Sequence, residues 1–162
     1  MLKQSTRILG IDPGTGLLGY GIIDCQPGQF HLVVHGHYRT PAGLRNAERV
    51  LPVFDFFDKL IKRHQPDQVA LEQLFIFKNQ KTVMAVSEMR GVLLLVAARH
   101  GVPIREFTPA QVKQAVSGYG RADKTQVQRM TKLILGLTAI PKPDDVADAL
   151  ALAICCANTI VF

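Results

Sequence analysis

The chain has 162 residues, of which 48% are hydrophobic and 20% charged. This length and composition predict one domain over residues 1–162. The formal net charge is +6, from 19 Lys and Arg against 13 Asp and Glu. The apolar stretches GVLLLVAA and ALALAICCA are too short for a membrane span, and MLKQSTR lacks the apolar region of a signal peptide, so we expect a cytoplasmic protein. The three cysteines show no Cys-x-x-Cys spacing, so they imply neither a disulfide framework nor a zinc site, and we expect them in the core.

Three strands joined by tight turns are predicted first, at residues 7–12, 17–24 and 30–39. Helices and strands then alternate, with a helix from about Leu44 to His64, a strand at 67–72, a helix from about Gln80 to Arg99 and a strand at 102–107. Further helices are predicted to begin near Pro109, after Asp123 and at Asp144. Tight turns favour antiparallel pairing and alternation favours parallel pairing, so the prediction is a mixed sheet with both.

Four carboxylates occupy unusual places. Asp12 and Glu72 each end an apolar run, ILGID and QVALE, where open α/β sheets bind ligands. Asp145 and Asp148 open the last apolar helix and, three residues apart, share one face. Carboxylate oxygens suit Mg²⁺ or Mn²⁺, so we predict a divalent-metal site. The alternative for helical acids is that they complement the helix dipole, and we assign Asp144 to that capping role.

Basic charge is concentrated in one region. Seven basic and two acidic residues lie from Arg99 to Lys132, whereas acids dominate after Ile140. A basic surface beside an acidic site is typical of enzymes that act on nucleic acids, although a solvated basic face has the same composition. Near Asp12, we expect glycines to permit tight turning, positive φ and close approach of the backbone to metals or phosphate, at Gly14, Gly16 and Gly19. A plain hairpin turn is the alternative.

Five motifs occur in one order: ILGIDPGTGLLGYGIID, LEQLFIFKNQKT, MRGVLLLVAARHGVP, PAQVKQAVSGYGRADKTQVQRM and DDVADALALAI. Over nearly the whole chain this set resembles the RuvC-type Holliday junction resolvases. The resemblance implies a ribonuclease H-like α/β fold with a five-stranded mixed sheet flanked by helices. It also implies an endonuclease of DNA recombination and repair that cuts four-way junctions by paired, symmetric nicks, leaving 5′-phosphate ends.

The resemblance also implies roles for individual residues. Two Mg²⁺ ions, or Mn²⁺, would bind an acidic tetrad made of Asp12, Glu72, Asp145 and Asp148. Two lysines, Lys113 and Lys124, would lie near the scissile phosphate, although solvated helix positions are the alternative. Phe75 would stack on unpaired bases, although a core position is the alternative. Further candidate DNA contacts are Phe77, Lys78, Asn79, Tyr119, Arg121 and Arg129.

The family is dimeric, and its implied partners include a RuvAB-type branch-migration complex. The helix from Gln80 to Arg99 is apolar beyond one stripe, so we assign it to the homodimer interface, with burial inside the chain as the alternative. Two other functions stay open. One is a single-lobed nucleotide-binding protein of the actin-like fold, suggested by GID-PGTG, and the other is a non-catalytic module that binds branched DNA.

Overall fold

The computed structural model describes residues 5–74 and 80–160. Five strands and five helices lie in this part of the chain. In order they are β1 Thr6–Asp12, β2 Leu17–Gln26, β3 Gln29–Arg39, α1 Asn46–His64, β4 Gln68–Glu72, α2 Gln80–Arg99, β5 Ile104–Phe107, α3 Pro109–Ser117, α4 Lys124–Ile134 and α5 Asp144–Ala157. Within the described ranges, no helix is both long enough and apolar enough to cross a membrane.

The strands form one mixed sheet in the order β3-β2-β1-β4-β5. β2 pairs antiparallel with both β1 and β3, whereas β4 runs parallel to both β1 and β5. The predicted fold class, three antiparallel strands followed by parallel ones, is therefore confirmed. Both parallel strands that carry a predicted ligand, β1 and β4, are central neighbours in this sheet.

Alternation along the strands divides the core between the two faces of the sheet. Leu9 belongs to the core that includes residues of α1 and α2, whereas Ile8 and Ala70 belong to the core formed with α3, α4 and α5. Asp12 lies four residues after Ile8, and Glu72 lies two residues after Ala70. Both carboxylates therefore fall on the α5 face, at the ends of adjacent strands.

Helix α5 lies unusually close to the sheet because glycines face it. A Cβ atom added to Gly10 would lie 2.0 Å from the carbonyl oxygen of Ala149, and one added to Gly19 would lie 2.1 Å from that of Asp145. Both neighbours are backbone atoms of α5, which cannot rotate away. Glycine at these positions therefore sets the distance between the helix and the strands.

The positive φ values that we predicted near Asp12 are wrong. Gly14, Gly16 and Gly19 are all absent from the glycines with positive φ, and Gly19 lies inside β2 rather than in a turn. At Gly19, the group that closely approaches the backbone is helix α5; the predicted approach to metals or phosphate stays a prediction. A turn and a helix contact both favour glycine, so the sequence pattern does not separate them.

The predicted boundaries hold within about two residues. β5 begins at Ile104 rather than at residue 102, because the Val102 N–H donates to the Ala97 carbonyl at the end of α2 and Pro103 has no N–H to donate. The cysteines are all buried and free, as expected, at Cys25, Cys155 and Cys156.

Most of the apolar surplus on α2 is buried inside the chain. Met89, Leu93 and Val96 belong to the core shared with α1, so burial within the chain accounts for them. Two large apolar side chains remain outside it, with Met84 65% and Leu95 60% exposed. Of the large apolar side chains described in α2, the exposed stripe of Met84 and Leu95 is therefore what could contact another molecule.

Candidate active site

A pocket of about 210 Å³ lies where β1 and β4 end, between the sheet and helices α3, α4 and α5. Its charged lining residues are Asp12, Glu72, Lys113, Lys124 and Asp148. The parallel register pairs Ile11 with Leu71, which places Asp12 and Glu72 side by side on neighbouring strands. Five of the six residues predicted to be catalytic are thus brought together by elements far apart in the sequence.

Asp145, the sixth of these residues, does not line the pocket. It lies in the first turn of α5, and its carbonyl oxygen faces Gly19 of β2. Its charge nevertheless reaches the pocket, since it helps to raise the pKa of Asp12 and of Asp148. Asp145 therefore contributes to the negative potential of the site from its edge.

The pocket holds its carboxylates under electrostatic strain. Burial, followed by repulsion from Asp148, Asp145 and Glu72, raises the pKa of Asp12 to about 7. Burial is also the main cause that raises the pKa of Glu72 and of Asp148, while Lys113 and Lys124 respectively oppose the rise. The charge on these acids is therefore costly unless a cation compensates it.

This strain predicts a pH dependence for the metal-free protein. Asp12 ionises near pH 3.8 when unfolded but only near pH 7 when folded, so the folded state binds more protons between these values. The free energy of unfolding should therefore fall as pH rises from about 4 to about 7, by up to about 1.4 kcal/mol per pH unit from this group. Urea unfolding in chelator at pH 5 and pH 8 measures the effect. The slope should be smaller in Asp12→Asn, and an identical slope would contradict the assignment to Asp12.

Two lysines reach the pocket from successive helices, α3 and α4. Thr108 caps α3 with its hydroxyl accepting from the Gln111 N–H, and Pro109 takes the first turn, as predicted; Asp123 caps α4 in the same way. These caps fix where the helices begin. Lys113 of α3 and Lys124 of α4 therefore enter the site from rigid elements rather than from the intervening loop.

Lys124 is shared between two acids of α5. Its Nζ lies 3.1 Å from Oδ2 of Asp148 and 3.5 Å from Oδ2 of Asp144. Burial lowers the pKa of Lys124, but its hydrogen bonds and charge interactions with these acids outweigh burial and raise the pKa. In the absence of another cation, this ammonium compensates part of the negative charge.

Asp144 lies in the first turn of α5, where its charge complements the helix dipole as predicted, but it is not the residue that caps the helix. The N-cap of α5 is Pro143, and the N-cap makes no side-chain hydrogen bond. The Asp144 carboxylate instead accepts a hydrogen bond from Lys142, at 2.6 Å, and contacts Lys124. Its hydrogen bond with Lys142 is the main cause that lowers its pKa.

The donor set fits a hard divalent cation. The acids of the pocket offer only carboxylate oxygens, the ligands that Mg²⁺ and Mn²⁺ prefer. Repulsion among these acids is the kind of strain that such an ion relieves, as the raised pKa of Asp12 indicates. Among the described residues, no three possible ligand side chains converge on one point, and Asp148 contacts Lys124 instead. Lys124 therefore contacts a carboxylate oxygen that a cation would need.

Two arginines that sequence analysis overlooked hold the strand ends in place. Arg90 of α2 is 8% exposed; it donates to the backbone carbonyl of Glu72 and pairs with the carboxylate of Glu106. The signal was present in the sequence, since Arg90 interrupts an apolar helix. A charge buried at such a place needs partners, and these partners fix the end of β4.

Arg49 of α1 holds the loop that follows Asp12 in a similar way, through hydrogen bonds. Its guanidinium donates to the carbonyl of Thr15 at 2.9 Å and to the hydroxyl of Thr40 at 3.1 Å. The Thr40 N–H in turn donates to the carbonyl of Gly16. These bonds join the loop to α1. No sequence signal distinguishes Arg49 from the other arginines of the chain.

The other predicted DNA contacts divide into two groups. Tyr119, 58% exposed, lies with Arg121 on the surface between α3 and α4, and Arg129 is exposed on α4. They are available to a ligand, although none of them lines the pocket. A second group lies outside the described residues, namely Phe75, Phe77, Lys78 and Asn79.

Residues 8–156 match the sequence model of the family described as crossover junction endodeoxyribonuclease RuvC. The chain belongs to the RuvC family. A RuvC of Moorella thermoacetica is 52% identical over 151 residues, which cover 93% of this chain and 90% of the relative. A RuvC of Heliobacterium modesticaldum is 50% identical over 155 residues, which cover 96% of each chain. The resemblance seen in the motifs is therefore confirmed.

Solved RuvC structures share the same architecture. Thermus thermophilus RuvC matches with a TM-score of 0.85 and 33% identity, over 93% of this chain and 92% of that one. The same protein in complex with a Holliday junction substrate matches with a TM-score of 0.85 and 30% identity, over the same shares. The ribonuclease H-like fold predicted for this RuvC-family chain is therefore confirmed over nearly its whole length.

Proposed function

We propose that this protein resolves Holliday junctions by paired, symmetric cleavage of two DNA strands, with the whole chain acting as one nuclease domain. One observation carries the proposal: a single pocket unites Asp12, Glu72 and Asp148 with Lys113 and Lys124, in a chain about half identical to RuvC proteins. Acids that hold cations and lysines that attract phosphate are the combination that phosphodiester hydrolysis needs. The complex of a relative with a Holliday junction supports the choice of substrate.

The acidic tetrad would hold two divalent ions, Mg²⁺ or Mn²⁺. Asp12, Glu72 and Asp148 face the pocket, and Asp145 adds its charge at the edge. When bound, the ions supply activation of water and neutralisation of charge at the scissile phosphate. The carboxylates are held in fixed positions, because the two strand ends and α5, which carry them, are joined through backbone contacts.

The lysines would act on the phosphate itself. Lys113 lies in the second turn of α3 and lines the pocket, where its ammonium can hold a phosphate oxygen and oppose the charge that develops there. Lys124 enters from the other side and can do the same once it leaves Asp148. Arg121, Arg129 and Tyr119 would contact the arms of the junction outside the pocket. Phe75, Phe77, Lys78 and Asn79 remain predicted DNA contacts.

A homodimer would supply the second active site that symmetric cleavage requires. The stripe of α2 formed by Met84 and Leu95 is the surface we assign to it. Gly91 lies between them on an exposed part of the helix, and a Cβ there would meet nothing within 4 Å. A glycine on an exposed helix face allows a second helix to approach closely. A RuvAB-type branch-migration complex is the further partner we propose, acting with this enzyme on DNA in the cytoplasm.

The dimer leads to a prediction for Leu95→Glu. A carboxylate in the α2 stripe should oppose burial between two copies, so the variant should sediment as a monomer and lose coordinated cleavage. Analytical ultracentrifugation measures the first effect, and supercoiled cruciform DNA, which distinguishes single from paired nicks, measures the second. The matched control is Leu133→Glu on α4, since Leu133 is 69% exposed but lies outside the stripe. A dimeric Leu95→Glu protein would place the interface elsewhere.

The function itself is tested with a synthetic four-way junction and a linear duplex of matched sequence, each incubated with Mg²⁺ or with chelator. We expect symmetric nicks with 5′-phosphate ends on the junction alone, and only with Mg²⁺. Equal cutting of the duplex would contradict structure selectivity. Junction binding without nicks under any metal would indicate a binding module, and ATP hydrolysis without nicks would indicate a nucleotide-binding protein.

A further inference from the structure

A chain of alternating charges runs along the rim of the pocket. Lys142 contacts Asp144 at 2.6 Å, Asp144 contacts Lys124 at 3.5 Å, and Lys124 contacts Asp148 at 3.1 Å. Asp148 lines the pocket, whereas Asp144 and Lys142 do not. Lys124 therefore stands between one acid that belongs to the proposed metal site and one that lies outside it.

The two acids compete for a single ammonium. While Lys124 lies on Asp148, it occupies an oxygen of a proposed ligand and adds a like charge beside any entering cation. Lys124 extends from the first residue of α4, and its side chain is 56% exposed, so it has room to change partners. Asp144 is already within 3.5 Å, which makes it the nearest anchor when Asp148 turns to an ion.

We infer that Asp144 is a positioning residue that draws Lys124 away from Asp148 and so allows the tetrad to take up its ions. The inference rests on the proposed function, because it presumes that Asp148 is a metal ligand. Asp144 does not touch the reacting atoms in this scheme. Asp144 keeps the ammonium of Lys124 next to the pocket, where it would meet a scissile phosphate. At the same time, Asp144 frees the Asp148 carboxylate from its contact with that ammonium.

Lys142 sets the strength of this effect. It also contacts Asp144, and its hydrogen bond is the shorter of the two contacts that this carboxylate makes with lysines. Removing Lys142 should therefore leave Asp144 freer to hold Lys124. Asp144→Asn and Lys142→Ala should thus shift metal affinity in opposite directions.

Mg²⁺ titration calorimetry on the full chain without DNA tests the inference. Asp144→Asn should weaken Mg²⁺ binding about two- to five-fold, the range expected for loss of one exposed ion pair. In a Lys124→Ala background, where there is no ammonium to draw away, the same substitution should change the affinity much less. Lys142→Ala should strengthen binding. Asp144→Glu, which keeps the charge, should restore most of the affinity.

The controls separate the possible failures. Asp55→Asn removes the same charge from an exposed position of α1, a helix that packs on the other face of the sheet, and should leave Mg²⁺ affinity unchanged. Thermal unfolding verifies that each variant is folded. An equal loss with and without Lys124 would show that Asp144 acts only as a nearby charge, and no loss at all would also overturn the inference. If the unaltered protein binds no Mg²⁺, the proposed function fails with it.

Discussion

Asp12→Asn should abolish junction cleavage in Mg²⁺, by more than about 100-fold, while junction binding survives. The estimate is a lower limit, since even residues that only support a metal ligand typically contribute 10- to 100-fold. Asp12 is subject to the negative charge of the other three acids, because Asp148, Asp145 and Glu72 all raise its pKa. Binding should persist because the exposed basic side chains of α4 and of the loop before it are unaffected.

Cleavage of a labelled four-way junction and its binding by fluorescence anisotropy in chelator are the two measurements. Asparagine has nearly the same shape as aspartate, so the fold should persist, and the lost charge should even stabilise the metal-free protein above pH 7. Asp55→Asn again serves as the control for charge. Cleavage at the normal rate would remove Asp12 from the mechanism, and loss of binding would assign it to the DNA interface.

Gly19→Ala should damage stability and activity together. The added methyl group would lie 2.1 Å from the carbonyl oxygen of Asp145 and 2.7 Å from the backbone nitrogen of Val146. The first turn of α5 would have to move away, at about 1 to 3 kcal/mol of unfolding free energy. Since Asp148 lies one turn further along the helix, cleavage should also fall at temperatures where the variant is still folded.

Denaturant unfolding measures the first effect, and junction cleavage well below the melting temperature measures the second. Gly120→Ala is the matched control: its methyl group would meet its nearest neighbours at 3.6 and 3.7 Å, which is ordinary contact. It should change the free energy of unfolding by less than about 0.5 kcal/mol. If Gly19→Ala proved equally harmless, α5 would not lie against β2 as closely as described.

The sheet and the place of the strand-end acids could be predicted because both depend on local patterns. Apolar runs ended by Asp12 and Glu72 mark strands, and alternation with helices marks parallel pairing, so the ends of β1 and β4 had to meet at one edge. The spacing of Asp145 and Asp148 similarly follows from helix geometry alone. Only Asp145 differs from the expectation, because the first turn of α5 directs it to the rim rather than into the pocket.

The remaining features depend on contacts between distant segments, which a single sequence does not display. Asp144 meets Lys124 because α4 and α5 pack beside one another, so this contact could not be predicted, although the place of Asp144 in the first turn of α5 could. The role of Gly19 was also ambiguous, since a glycine in a turn and a glycine packed beneath a helix have the same sequence pattern. The exposed stripe on α2 was overestimated because α1 covers most of the apolar residues, among them Met89.

The contact between Gly10 and Ala149 limits how this active site can change over evolutionary time. Side chains usually absorb small insertions by rotating, so most packing distances drift gradually as sequences diverge. Here backbone meets backbone, and the smallest possible addition, one methyl group, already lies 2.0 Å from a carbonyl oxygen. Any side chain at position 10 would therefore require the backbone of α5 to move. Since α5 carries Asp145 and Asp148, a lineage that replaced this glycine would also shift these acids relative to Asp12.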